Sequence, residues 1–88
     1  MKITLQPQEC NGNCRFCGQI VYTKAFGEVF QDKTFVVILA SMSLIFDLVS
    51  KNIADYLQVF TVETNTGTIK FWVIDNGSYI TYLLPSDY

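Results

Sequence analysis

Residues 60–84, FTVETNTGTIKFWVIDNGSYITYLL, decide the fold. Apolar and polar residues alternate through three segments, broken at Thr66-Gly67 and at Asn76-Gly77. A period of two belongs to strands with one buried face, and glycine-containing turns join such strands into hairpins. Two-residue turns at both breaks pair Val62 with Phe71, Phe60 with Val73, Phe71 with Tyr82, Val73 with Ile80 and Ile69 with Leu84. One face of this meander then carries Phe60, Val62, Ile69, Phe71, Val73, Ile80, Tyr82 and Leu84. A one-residue slip would turn the whole set outward, so this face must be buried.

The opposite face carries Thr61, Glu63, Lys70, Trp72, Ile74, Tyr79, Thr81 and Leu83. It is polar at one end and apolar at the other. Trp72, Ile74, Tyr79 and Leu83 make a candidate partner-binding patch, since Trp and Tyr are enriched at binding hot spots. Three coverings are open: residues 19–30 folded across it, a protein partner, or a second copy of the chain.

Working back toward the N-terminus, Leu44, Ile45, Leu48, Val49, Ile53, Tyr56 and Leu57 fall on one side at helical spacing, which predicts a helix over about 43–58. Ser41 or Ser43 can cap it. The β-branched run Thr34–Ala40 reads as a central strand, Gln31-Asp32-Lys33 as a turn, and Gln19–Phe30 as a strand broken near Gly27. Lys2–Gln6 alternates and ends at Pro7. The expected fold is α+β: one domain over 1–88, with an antiparallel sheet of five to six strands, one helix packed on it and a C-terminal three-stranded meander.

Composition narrows the function. Half of the 88 residues are hydrophobic, enough for a true core. Six Lys and Arg against eight Asp and Glu leave a net charge of −2, which disfavours a nucleic-acid partner. The opening residues lack an apolar signal region, so a cytoplasmic location is expected. The apolar run 35–46 is too short to span a bilayer, and no membrane association is expected. With no histidine and only isolated carboxylates, ordinary acid–base catalysis has no obvious machinery, and an enzyme is not the favoured reading.

One stretch has chemistry of its own. Residues 10–18, CNGNCRFCG, place Cys10, Cys14 and Cys17 on a short loop between Gly-permitted bends. Three soft sulfurs at this spacing are candidate metal ligands, but a closed zinc site takes four. The fourth would be Glu9, Asp32, water or a group from another chain. Ordinary reduced thiols with no metal explain the same residues. A redox C-x2-C pair is less well supported, because a strand, not a helix, is expected after Gly18.

The stretch KITLQPQECNGNCRFCG also resembles the opening of a radical S-adenosylmethionine enzyme. In that family a first strand leads into C-x3-C-x2-C, with an aromatic residue before the third cysteine. Cys10, Asn11, Cys14, Phe16, Cys17 and Gly18 match those positions. The resemblance implies a [4Fe–4S] cluster held by the three thiolates. It covers about the first eighteen residues, and no βα units of the family's barrel follow. The function expected is a small accessory or inhibitor-type protein that binds another protein, with zinc at the cysteine loop as an added feature. The alternative is an iron–sulfur protein, an electron carrier or a degenerate relative of the radical enzymes.

Overall fold

The computed structural model describes residues 1–88. Strand β1 (Lys2–Leu5) precedes the cysteine loop, and β2 (Gln19–Tyr22) follows it. Helix α1 (Lys24–Phe30), a 3-10 turn (Gln31–Lys33) and helix α2 (Thr34–Ser50) come next. The meander of β3 (Leu57–Thr64), β4 (Gly67–Asp75) and β5 (Tyr79–Leu83) ends in a 3-10 turn at Pro85–Asp87. The sheet order is β1-β3-β4-β5-β2, antiparallel except that β2 runs parallel to β5. The fold is α+β, with one long helix on a five-stranded, mostly antiparallel sheet.

The buried face of the meander is the one the alternation requires. Phe60, Val62, Phe71, Val73, Ile80 and Tyr82 are all buried, with Ile69 and Leu84 packed at the margin. Both hairpins are nevertheless shifted by two residues from the expected pairing. Phe60 faces Phe71, Val62 faces Ile69 and Val73 faces Tyr82. The first turn centres on Asn65-Thr66, with Gly67 at φ 136° opposite Thr64. At the second turn, side chains take over the closure. Asp75 Oδ1 accepts from Gly77 N, and Asn76 Oδ1 accepts from Ser78 N and Tyr79 N. Such Asx turns compete with a tight hairpin and lengthen the loop. A two-residue shift preserves which face every side chain occupies.

The helix lies earlier than 43–58. Thr34, Val37, Ile38, Ser41, Met42 and Ile45 recur at helical spacing and form its buried side, so the expected strand over 34–40 is the first half of α2. Burial on the sheet overrides the strand preference of the Val/Ile run. The C-terminal end is set by Asn52, at φ 59°. Asn52 N donates to Val49 O, and Ile53 N donates back to Leu48 O. This is a Schellman closure with Asn in the left-handed position. Ile53, Tyr56 and Leu57 therefore lie beyond the helix, although their spacing continues its pattern. Ser41 is not a cap: its Oγ donates within α2 to Val37 O at 2.7 Å and meets Tyr82 Oη at 2.8 Å in the core.

Residues 19–30 do not form one strand and do not cross the mixed face. The strand stops at Tyr22, and Thr23 caps α1 by accepting from Phe26 N at 3.2 Å. Phe26 and Phe30 then enter the same core as α2. Phe26, Phe30, Phe60, Phe71 and Tyr82 form one aromatic cluster, with ring centroids 4.8–6.0 Å apart. Both helices thus occupy one face of the sheet, and the other face carries none. By length and composition, Lys24–Ser50 is a helical stretch apolar enough to cross a membrane. It is not straight: Gln31 at φ 49° breaks it. The 17 residues of α2 reach only about 25 Å, short of the ~30 Å hydrocarbon layer.

Candidate functional site

The cysteine loop is built against the segment between α2 and β3. Gln6 N makes a last sheet bond to Val59 O, and Pro7 turns the chain away. Gln8 then bridges the two segments. Its Nε2 donates to Ile53 O at 2.6 Å and to Asn11 Oδ1 at 3.0 Å. Its Oε1 accepts from Asp55 N at 3.0 Å and from Gln58 Nε2 at 2.9 Å. Gly12 N and Cys14 N donate to Ile53 O and Ala54 O. Close approach, not positive φ, is what requires the loop glycines. A Cβ on Gly12 would lie 2.8 Å from Ala54 O, and one on Gly18 would lie 2.6 Å from Ser78 O.

Between them stands Phe16, whose ring is 1% exposed and joins the main core. Its backbone takes φ 48°, and its N–H donates to Asp75 Oδ2 at 3.0 Å. Asp75 therefore serves two loops, holding Phe16 with one oxygen and the β4–β5 turn with the other. Neither Gln8 nor Phe16 is marked as an anchor by sequence pattern. The apolar residue between two cysteines is the only hint.

Cys10 and Cys17 are exposed, Cys14 is half-buried, and all three are free thiols. Nowhere do three or more His, Cys, Asp or Glu side chains converge as a metal-holding group. Asp32, one candidate fourth ligand, lies in the turn before α2. As placed, the three cysteines do not form the common centre that zinc or a cluster needs. Burial pushes the Cys14 thiol up from its ordinary range, and the negative charges of Asp75 and Asp55 push it the same way. That suppresses the thiolate on which redox exchange depends.

The structure does bring Trp72, Ile74, Tyr79 and Leu83 onto one face. Trp72 lies opposite Leu83, and Ile74 lies opposite Thr81, two residues from Tyr79. Their exposures differ. Tyr79 is exposed, Trp72 and Ile74 are half-buried, and Leu83 is buried. The C-terminal residues supply the partial cover: Tyr88 meets the edge of Trp72 with centroids 5.5 Å apart. Leu57 and Val59 continue the apolar area across β3, opposite Ile74 and Trp72. Exposed Tyr56 stands between two depressions. One, of about 500 Å³, runs past Pro7, Leu57, Val59 and Lys70. The other, of about 640 Å³, runs past Cys14, Arg15, Cys17 and Ile74. The helical spacing of Tyr56 and Leu57 hid this contribution from the sequence reading. No family model, curated protein or solved structure matches the chain.

Proposed function

We propose that this chain is a small accessory or inhibitor-type interaction protein that binds a protein partner across the helix-free face of its sheet. The observation that carries this reading is the asymmetry of the sheet. Both helices pack on one side, while the other presents Tyr56, Leu57, Val59, Trp72, Ile74 and Tyr79 beside two open depressions. Aromatic residues that are neither core nor fully solvated suit the anchors of a protein interface. Polar residues Thr61, Glu63 and Lys70 border the patch at one end, Thr81 lies within it opposite Ile74, and all four can supply orientation. Leu83 lies beneath this surface and supports it. A metal on Cys10, Cys14 and Cys17 would require the loop to rearrange, so zinc is an accessory proposal and the interface does not depend on it.

The test is affinity capture from the source cells with the wild-type chain, Trp72→Ala and Ile74→Ala, quantified by mass spectrometry. A specific protein retained by the wild type should be lost from both variants, with melting temperatures within about 8 °C of the parent, since truncation at half-buried sites costs little. Undiminished retention by both variants would overturn the reading. So would cooperative unfolding of Trp72→Ala below 30 °C, roughly the outcome for a residue belonging to the core.

A further inference from the structure

Helix α2 has a second face that the fold does not use. Phe35 is 70% exposed, Leu39 71%, Val36 57% and Phe46 51%, and the only charge in the helix is Asp47. A helix apolar on all sides is ordinarily covered on all sides. We infer that two copies of this chain associate through the outward face of α2. This inference is independent of the sheet-face interface.

The pattern on that face is self-complementary. Rows four residues apart form the ridges of a helix surface, and here they read Phe35-Leu39-Ser43-Asp47 and Val36-Ala40-Leu44. Small Ala40 and Ser43 sit near the middle, with bulky side chains toward either end. A twofold axis near residue 41 lets the small residues meet at the crossing while the bulky ends of each helix cover those of the other. The exposed apolar side chains amount to roughly 500 Å² per copy, about 1,000 Å² for the pair, which suits a weak dimer.

A lipid surface fits less well. Interfacial helices set Lys and Arg along their polar flank. The exposed polar side chains of α2 are Ser43, Asp47 and Ser50, none of them basic, and nearby Lys51 is tied to Asp47 at 3.1 Å.

Sedimentation equilibrium on the full chain tests the inference, with Leu39→Glu and Ala40→Glu as variants. The wild type should dimerise with a dissociation constant of about 1–100 μM, and each variant should weaken this at least ~100-fold with unchanged circular dichroism. Two exposed sites guard against one substitution disturbing the fold. A wild type monomeric at about 1 mM would overturn the inference. So would a dimer that survives both variants, or a monomer that floats with phosphatidylcholine vesicles.

Discussion

Phe16→Ala asks what holds the cysteine loop. The ring is 1% exposed in the main core, and loss of a buried Phe costs about 3–5 kcal/mol. A chain of 88 residues has roughly 4–13 kcal/mol of total stability. The melting temperature should therefore fall by at least about 12 °C. Alanine retains the strain of the left-handed backbone, so the loss reports the side chain. Phe16→Gly relieves that strain, about 1 kcal/mol, and should melt at or slightly above Phe16→Ala, reversing the usual order. In the same assay, thermal unfolding followed by circular dichroism, the chain with Cys10, Cys14 and Cys17 all changed to Ser should lie within about 1 kcal/mol of wild type. Chelator should leave the transition in place. If the triple variant or chelator lowers the melting temperature as far as Phe16→Ala does, metal anchors the loop and the reasoning fails.

Two further outcomes follow from the core. Burial raises the Tyr82 hydroxyl well above its ordinary value of 10.0, against a smaller opposing effect of its hydrogen bond with Ser41. The unfolded chain releases this proton first as pH rises, so stability is fully present below about pH 10 and falls by ~1.4 kcal/mol per pH unit above it. Urea titrations at successive alkaline pH values should show that slope reduced in Tyr82→Phe. The Cys14 thiol is shifted the same way, so both chains should carry Cys14→Ser; an equal slope with and without the Tyr82 hydroxyl would refute the assignment. Phe71 is fully buried with Phe26, Phe30, Phe60 and Tyr82 around it, so Phe71→Ala should cost about 3–5 kcal/mol in urea denaturation, whereas less than ~1 kcal/mol would remove it from the core.

The meander was legible because its signal does not depend on the turn. Alternation at Phe60-Thr61-Val62 and at Ile69–Val73 assigns faces by parity, and an error of two residues leaves parity intact. The turns themselves were not legible. Asp75 and Asn76 close the second one through carboxylate and amide oxygens, and a count of backbone positions does not include those bonds. Helix α2 failed for a different reason. Its first turns are Phe35, Val36, Val37, Ile38 and Leu39, and a continuous apolar run has no period to read. Its end was misplaced because Asn52 sits where Ile53, Tyr56 and Leu57 prolong the helical spacing, and only the left-handed backbone at that residue reveals the stop.

The cysteine loop and α2 then share one cause. In both places the most conspicuous residues in the sequence are not the ones that fix the structure. Cys10 and Cys17 are exposed, while Gln8, Gly12, Phe16 and Gly18 set the loop through hydrogen bonds, close backbone approach and one buried ring. In α2 the apolar run conceals which residues serve the core. Val37, Ile38, Met42 and Ile45 meet the sheet, while Phe35, Val36, Leu39 and Phe46 are surplus to it. A folding requirement explains the first set and leaves the second unexplained. Leu39→Glu therefore separates the two demands on one helix: it leaves the sheet-facing core untouched, so any change it causes in association belongs to the outward face.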